Sequence, residues 1–480
     1  MTVIEFEPAR QGVLQRVANR FTIWAERWFP DAYIFALTAL AIAILASFAI
    51  GGKPTDIINA FGDGYWNLIR FTYQMAMVLL TGYALATSKI VLKGMNLLSA
   101  IPKTGPQAIV FIVFISILGN LINWGFGTVL SSLLVISLSN RTELKMDYRA
   151  AAAAAMVGIS TIAMLGLSSG PALLQANPAS MPKELLAAGG VIPTTETLFT
   201  WQNGVVIIVV GLTAMLAAYF TSPRGDAVRT RSELNVTVNP IGKEEPQSKE
   251  ISRPGDFLST SPWMAFFIGG LSLTWLCLKI STIGLVATLS DLNNYIFICL
   301  TLAVLLHGNI KNFLGAVQSA VPSVGPILVQ FPIYAATAAI ITTVHNADGY
   351  SVASYLGDFF VNIGGSYALP LVVGIYSIIM GFFVPAAGAR WVLEAPYVFH
   401  AAQATETSLG WILVVFNGSE ALTNFINPFW MLATLGIVSL KPRNIVGYTF
   451  VYFLVVTPVM LGLLWAFTFT TTYHPPVLPN

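Results

Sequence analysis

The fold class is decided by one apolar stretch, Gln107–Ser139, which reads QAIVFIVFISILGNLINWGFGTVLSSLLVISLS. It contains no charged residue, and it is longer than the ~20 residues that one helix needs to cross a bilayer. Glycine and asparagine interrupt it within Asn120–Gly127. Lys103 precedes it and Arg141 follows it, so the positive-inside rule predicts that both of its ends face the cytoplasm. We therefore expect a re-entrant hairpin at this position rather than a crossing.

The composition of the whole chain agrees with a membrane protein. The 480 residues are 55% hydrophobic and 10% charged, and the mean hydropathy is +0.72. A soluble domain carries about 25% charged residues, so this chain has too few charges to cover a soluble surface. The net charge of +2 gives no reason to expect nucleic acid as a partner. The composition excludes cytosolic enzymes and nucleic-acid-binding proteins, and it makes the lipid bilayer a partner.

Cysteine and histidine usage gives no support for a metal, haem or redox site. Cys277 and Cys299 lie in separate apolar runs, and no C-x-x-C motif is present. The 4 histidines are far apart in the sequence, at His307, His345, His400 and His474. A membrane enzyme would need a cluster of paired histidines or carboxylates, and the sequence offers none. We therefore expect no enzyme activity, no cofactor and no bound metal.

The apolar segments predict an all-α polytopic membrane protein with about nine transmembrane helices and two re-entrant hairpins. The second hairpin is Tyr367–His400, broken at Pro385–Gly388. The predicted crossings are Asp31–Ile50, Phe71–Ser88, Ala150–Leu174, Trp201–Phe220, Pro262–Ile280, Tyr295–His307 with its flanks, Pro326–Thr343, Leu409–Met431 and Val446–Thr468. This topology predicts a cytoplasmic N-terminus and a periplasmic C-terminus.

The two halves of the chain follow the same order of elements. The run Ala32–Thr38 resembles Asn294–Thr301, and each is followed by a polar surface stretch, a span, a hairpin and an interrupted span. The extra crossing Pro262–Ile280 would invert the second copy, and inverted repeats with broken helices are typical of secondary transporters. The predicted units are a cytoplasmic segment (1–30), the first repeat (31–221), a cytoplasmic linker (222–261), an extra helix with its connection (262–292), the second repeat (293–470) and a tail (471–480). Chance resemblance between apolar segments is the alternative.

Four breaks rich in Gly, Ser, Asn or Pro interrupt the predicted helices, at Asn120–Gly127, Gly166–Pro171, Val384–Gly388 and Asn417–Pro428. Irregular backbone in a bilayer survives only where it lines a cavity. Half-helices that start there would direct N–H groups at the midplane, which favours an anion. Freed carbonyls at the other ends would favour a small cation. For any single break, close helix packing through glycine is the alternative.

Ionisable residues within membrane segments indicate function. Arg390 follows the second hairpin break, and its guanidinium suits a carboxylate. Glu394 lies four residues further on, so an internal ion pair is an equal alternative. Glu420 is placed in the last break, where it would bind a cation, carry a proton or pair with Arg390. An exposed position at an entrance is the alternative for Glu420.

The motifs at these breaks resemble the short-chain fatty acid transporter family, which is associated with acetoacetate and butyrate use in bacteria. The resemblance covers nearly the whole chain and rests on Gly62–Leu68, Gln74–Met77, Thr81–Ala86, Asn123–Gly127, Phe383–Pro385, Trp391 and Leu422–Trp430. This family is similar to the ion transporter superfamily. The resemblance implies inverted repeats, two hairpins, cation-coupled uptake of small carboxylates by alternating access, and a possible homodimer.

We therefore expect a secondary active transporter of the bacterial inner membrane that takes up short-chain fatty acids or similar monocarboxylates with sodium or a proton. The predicted substrate-binding residues are Arg390, Asn123, Gly125, Gly127, Ser168, Ser169, Gly388, Trp391, Thr423, Asn424 and Asn427. The predicted residues for the coupling cation are Asn120, Asn123, Ser419, Glu420 and Asn424. The alternatives are an anion or small-solute channel, a uniporter, or a transporter of a different small carboxylate.

Overall fold

The computed structural model describes residues 32–238, 254–383 and 386–478, together with Arg27. The predicted cytoplasmic segment 1–30 lies outside these residues apart from Arg27, as do part of the linker (239–253), Val384 and Pro385 of the second hairpin break, and the last two residues of the tail. Within the described ranges one isolated bridge joins His345 and Ser351, and all regular elements are helices. The all-α prediction is confirmed.

The first half of the chain folds into helices of very different length. In chain order they are α1 (Ala32–Ala49), α2 (Pro54–Gly64), α3 (Ile69–Ala86), α4 (Lys89–Leu98), α5 (Gly105–Ile122), α6 (Trp124–Ser139), α7 (Tyr148–Ala155), α8 (Val157–Thr161), α9 (Gly170–Gln175), α10 (Lys183–Gly189) and α11 (Trp201–Thr221).

The second half begins with a connecting helical region. Its helices are α12 (Pro254–Thr260), α13 (Pro262–Ile283), α14 (Leu285–Ser290), α15 (Leu292–His307), α16 (Ile310–Ala320), α17 (Gly325–Thr343), α18 (Val352–Phe383), α19 (Ala387–Ala404), α20 (Leu409–Leu422), α21 (Pro428–Val438) and α22 (Pro442–Thr468).

Polar side chains set the starts of many of these helices. The first backbone N–H groups of a helix have no partner within it, and a side-chain oxygen at the preceding residue satisfies one of them. The residues that do so include Thr104, Asn123, Asp147, Ser169, Thr200, Ser261, Asp291, Asn309 and Ser408. Between these capped ends the residues are mostly apolar, and long apolar helices are stable in a bilayer because their backbone groups are hydrogen-bonded within the helix.

Six helices of the described chain are long and apolar enough to cross a membrane, and up to 8 spans result if each bent helix pair is one span. The six are α5, α11, α13, α17, α18 and α22. The bent pairs are α2 with α3, at 42°, and α20 with α21, at 46°. The count of about nine crossings stays a prediction, because length and apolarity alone do not place a helix across a bilayer.

The two halves contact each other reciprocally. Helix α1 packs against α17 of the second half, and α15 of the second half packs against α3 of the first. The short helices follow the same rule, since α2 contacts α17 and α16 contacts α3. Phe71 of α3 stacks on Phe331 of α17 with ring centroids 6.0 Å apart. Two repeats related by a pseudo-twofold axis would pack in this way, but both the repeat and its inversion relative to the membrane stay predictions.

The first predicted hairpin folds as two helices that pack along each other, α5 and α6, on either side of Asn123. A Cβ on Gly119 would lie 2.7 Å from Cα of Gly127, so these glycines allow the two helices to approach closely. Arg141, beyond the end of α6, donates from Nη1 to the carbonyl of Ser99, before the start of α5, at 2.7 Å. Both ends of the pair therefore lie together, as a re-entrant hairpin requires.

The break in this hairpin is much shorter than Asn120–Gly127. Asn120 lies within α5, whereas Gly125 and Gly127 lie within α6, and only Asn123 has an extended backbone. A single extended residue suffices because its own side chain caps the next helix. The predicted extent of this break is wrong, and its position is right.

The last break is also shorter than predicted. Helix α20 continues to Leu422, so Asn417, Ser419 and Glu420 are helical, and the irregular backbone is confined to the region between Leu422 and Pro428. Polar residues in this helix face protein rather than lipid, which removes the need to break it. The assignment of Glu420 to the break is therefore wrong.

The other interrupted segments differ from the prediction in detail. The first interrupted span already divides at Met156, between α7 and α8, before it restarts at α9 with Ser169 as its cap. In the second hairpin, α18 begins before Tyr367 and kinks at Gly365, where φ is 51°. Glycine adopts this left-handed conformation without strain. Gly388 belongs to the first turn of α19 rather than to the break.

Candidate functional site

The broken segments of the two halves meet inside the protein. The N–H of Trp124, at the start of α6, donates to Oγ of Ser168 at 2.9 Å. Asn417 of α20 donates from Nδ2 to Oγ of Ser169 at 3.0 Å. These bonds join the first hairpin, the first interrupted span and the last interrupted span, so the structure brings together three of the four predicted breaks.

The second hairpin joins the same region. A Cβ on Gly170, at the start of α9, would lie 3.5 Å from Cα of Gly388 near the start of α19. Asn424 donates from Nδ2 to the carbonyl of Ile159 at 2.9 Å and adds a further link between the halves. All four predicted breaks therefore contribute residues to one buried region.

Two helix N-termini from different halves lie close together here. Helix α6 begins at Trp124 and α21 begins at Pro428, and the rings of Trp124 and Trp430 meet edge to face with centroids 5.6 Å apart. Helix N-termini carry partial positive charge, so this region favours an anion.

Asn123 holds the tip of the first hairpin against α3. Its Oδ1 accepts from the N–H of Phe126 at 3.0 Å, and its Nδ2 donates to the carbonyl of Val78 at 3.2 Å. The absence of a side chain on Gly82 lets the start of α6 approach α3, since a Cβ on Gly82 would lie 2.7 Å from the backbone nitrogen of Phe126. The amide of Asn123 is thus already engaged with protein groups at both of its ends.

The predicted glycines and Trp391 also have close neighbours within the protein. Gly125 packs against Leu79, where a Cβ would lie 3.4 Å from the carbonyl oxygen. Trp391 is fully buried, and its Nε1 donates to Oε1 of Gln175 at 3.1 Å. Asn427 donates from Nδ2 to the carbonyl of Phe382 at 2.9 Å, which ties the last break to the second hairpin.

Arg390 and Glu394 form an ion pair inside the second hairpin. Arg390 Nε lies 2.9 Å from Glu394 Oε1, and both side chains have 0% exposure. The pair is ionic rather than well hydrogen-bonded, because all three guanidinium nitrogens and both carboxylate oxygens lack a hydrogen-bond partner among the described residues. Buried charged groups of this kind usually have several hydrogen bonds.

The guanidinium is enclosed by residues of α18, of α20 and of the segment that follows α20. Its Cζ lies 4.9 Å from the ring centroid of Phe416 in α20. A Cβ on Gly381 of α18 would lie 2.5 Å from Arg390 Nη1 and 2.8 Å from Oγ1 of Thr423. Gly381 therefore leaves the space in which the guanidinium sits. Gly381 was not predicted as a site residue, because a glycine in an apolar helix is common.

Glu420 is the third buried charged group of this cluster. It is 2% exposed and interacts electrostatically with Arg390 and with Glu394. The cluster thus contains one guanidinium and two carboxyl groups. It joins Arg390, Glu394 and Glu420 from two helices, α19 and α20, that the sequence separates by a connecting segment.

Several buried oxygen atoms have no hydrogen-bond partner among the described residues. They include Oδ1 of Asn120, Asn417 and Asn424, and Oγ of Ser160 and Ser419. Amide and hydroxyl oxygens of this kind are suitable ligands for a hard cation. Ser160 was not predicted, whereas Asn120, Ser419 and Asn424 were. In the described chain, no group of three or more His, Cys, Asp or Glu residues is arranged to hold a metal ion.

A separate cavity of about 280 Å³ lies at the far end of α19. Glu184, His345, Ser351 and His400 are among its lining residues. His400 is ten residues from Arg390 along the helix, which corresponds to about 15 Å. The cavity is therefore distinct from the buried charged cluster.

Comparison with known proteins shows relatives along almost the whole chain. The family profile described as short chain fatty acid transporter matches residues 13–467. A Haemophilus influenzae protein is 28% identical over 455 residues, covering 94% of this chain and 99% of its own length. An Escherichia coli protein is 30% identical over 438 residues, covering 91% of this chain and 96% of its own. Both carry provisional names as short-chain fatty acid transporters.

A solved structure shows a similar fold. The YdaH transporter of Alcanivorax borkumensis aligns with a TM-score of 0.53 and 13% sequence identity, over 93% of this chain and 100% of that one. At this identity the likeness concerns the fold alone. The buried meeting point of four broken segments and the match along the whole length lead to one conclusion: this multi-pass membrane protein is a transporter and belongs to the short chain fatty acid transporter family.

Proposed function

We propose that this transporter takes up short-chain fatty acids or similar small monocarboxylates, of the butyrate and acetoacetate type, across the bacterial cytoplasmic membrane together with a coupling cation. One observation carries the proposal. Nη1 and Nη2 of Arg390 are fully buried and have no hydrogen-bond partner among the described residues. The fork of a guanidinium binds both oxygens of a carboxylate, which is the group that every such substrate presents.

In this proposal Arg390 binds the substrate carboxylate, with Thr423 beside it. The convergent helix N-termini add favourable potential for the anion. The aromatic residues near the breaks, Trp124, Trp391 and Trp430, cover a short apolar tail. The polar groups of Ser168, Ser169 and Asn427 hold the surrounding broken segments in position.

Two kinds of group support coupling to a cation. The buried amide and hydroxyl oxygens of Asn120, Ser419 and Asn424 suit sodium, whereas the carboxyl group of Glu420 suits a proton. Either cation would offset the negative charge of the substrate.

Transport of this kind needs a conformational change. Arg390 has 0% exposure, so a substrate reaches it only when the second hairpin moves relative to α20 and α21. We propose alternating access in which the hairpin α18–α19 opens toward one side at a time. A gate on each side of a buried site distinguishes such a transporter from a channel.

The test is radiolabelled butyrate transport in proteoliposomes. Protein-free liposomes measure the passive permeation of neutral butyric acid, which is subtracted. Exchange of external labelled butyrate for internal unlabelled butyrate supports a carrier, and accumulation above equilibrium under a sodium or proton gradient supports coupling. Equilibration without accumulation under either gradient would point to a channel or uniporter.

A different small carboxylate is the second candidate substrate. Inhibition of labelled butyrate transport by acetoacetate and by longer monocarboxylates ranks the candidate substrates. Orientation and assembly also stay proposals, with a cytoplasmic N-terminus, a periplasmic C-terminus and a homodimer. Reporter fusions at both termini and mass photometry of the purified protein test them.

A further inference from the structure

The buried cluster has an unequal number of positive and negative groups. Arg390 and Glu394 have 0% exposure and Glu420 has 2%. Glu394 interacts electrostatically with Arg390 and with Glu420, and Glu420 also interacts with Arg390. One guanidinium therefore faces two carboxyl groups. A buried charge without a counter-charge is strongly unfavourable, so the cluster favours one additional positive charge.

The other titratable groups around the cluster do not supply that charge. Elements packed against α19 and α20 contribute phenols, which are uncharged at neutral pH. These phenols are Tyr334 of α17, Tyr376 of α18, Tyr397 of α19 itself and Tyr452 of α22. The charged residues of α10 and the outer ends of α18 and α19 are Lys183, Glu184, Asp358 and His400, and the last two face each other at 3.8 Å away from the cluster.

We propose that the coupling ion is a proton, carried by the Glu394–Glu420 pair and taken up when a substrate carboxylate replaces Glu394 at Arg390. This inference rests on the proposed function, because it assumes that Arg390 binds the substrate. In the cluster without substrate, a proton on Glu420 supplies the additional positive charge. The substrate anion then forms the ion pair with Arg390, the pair between Arg390 and Glu394 breaks, and the released carboxylate of Glu394 binds a second proton. The net charge of the cluster is therefore zero before and after substrate binds.

The surroundings of Glu394 suit a proton better than sodium. Neither carboxylate oxygen of Glu394 has a hydrogen-bond partner among the described residues, and Oε1 forms an ion pair with Nε of Arg390 at 2.9 Å. The ring of Phe416 lies against the same guanidinium. A hard cation requires several oxygen ligands, whereas a proton requires one carboxylate oxygen.

The first experiment measures protons bound together with substrate. Butyrate is titrated calorimetrically into the purified wild-type protein in buffers of different ionisation enthalpy. We expect about one proton taken up per butyrate bound, and tighter binding at lower pH. Exchange of sodium for choline leaves the affinity unchanged. Binding without proton uptake, or binding that needs sodium, overturns the proposal.

Variants then separate coupling from transport. In proteoliposomes the ratio of pH-driven butyrate accumulation to butyrate exchange is expected to fall in Glu394→Gln and in Glu420→Gln. In Glu196→Gln, which changes an exposed carboxyl group outside the cluster, this ratio stays at the wild-type value. If both cluster variants accumulate butyrate as the wild type does, the proposal is wrong. Absence of butyrate exchange by folded wild-type protein would instead contradict the proposed function, so the two failures are distinguishable.

Discussion

Arg390 Nε lies 2.9 Å from Glu394 Oε1, one turn away on α19, and neither side chain is exposed. The sequence left two hypotheses for Arg390 open, namely contact with a substrate and an internal ion pair with Glu394. The structure shows the internal pair, with two guanidinium nitrogens still unused by the described residues. The internal pair is therefore observed, whereas contact between Arg390 and a substrate stays a proposal that variants can test.

Removal of one partner of this pair should destabilise the protein. We expect Arg390→Ala to lower the free energy of unfolding by roughly 3–5 kcal/mol, because the carboxylate of Glu394 stays buried without a counter-charge. The double variant Arg390→Met with Glu394→Gln removes both charges and should recover most of the thermal stability. Melting of the purified proteins in detergent measures both effects.

The same double variant tests the functional role. It should remain unable to exchange butyrate even though it is stable, because no guanidinium is left to bind the carboxylate. Exchange at the wild-type rate by the double variant would show that Arg390 serves the structure alone.

Gly381 should be essential for the space around the guanidinium. In Gly381→Ala the new methyl group would lie 2.5 Å from Arg390 Nη1, so the guanidinium has to move. Overpacking of this kind costs about 1–3 kcal/mol, and we expect butyrate exchange to fall by about tenfold or more. Gly462→Ala is the matched control, because nothing lies within 4 Å of the added Cβ. Equal exchange rates for the two variants would contradict this assignment.

Asn123 should position the first hairpin tip. Asn123→Ala removes both the cap of α6 and the bond to the carbonyl of Val78, and we expect a loss of about 1–2 kcal/mol in stability together with slower exchange. Asn123→Asp keeps an oxygen for the cap and should recover part of the stability. Ser261→Ala, which removes the side-chain cap of α13 away from the site, is the control. The prediction is wrong if Ser261→Ala slows butyrate exchange as much as Asn123→Ala.

The two ends of the first hairpin should be accessible from the same side of the membrane. Arg141 already bonds to the carbonyls of Ser99 and Pro102, which places the ends together. In a Cys277→Ser background, Lys103→Cys and Glu143→Cys should both react with an impermeant maleimide in inside-out vesicles and not in whole cells. Glu196→Cys, in the predicted periplasmic region, should react in whole cells. Labelling of Lys103→Cys and Glu143→Cys from opposite sides would show that the segment crosses the membrane.

The extent of each break was harder to predict than its position. Glycine and asparagine in Asn120–Gly127 marked a hairpin, but the glycines serve the contact between α5 and α6, and Asn123 alone turns the chain. Composition cannot separate a glycine that breaks a helix from one that lets two helices approach, because both uses rely on the missing side chain.

The sequence by itself determined the membrane class, the order of helices in each half, the places where helices break and the family. These follow from apolar length, from charge at segment ends and from local turn residues, which act over short distances along the chain. The tertiary structure alone decided which polar groups meet. Asn417 bonds to Ser169 across 248 residues of sequence, and Glu420 comes to lie near Arg390 and Glu394. A membrane helix is apolar toward lipid and toward its neighbours alike, so its sequence does not reveal which face turns inward, and only the assembled helices fix the buried charged cluster.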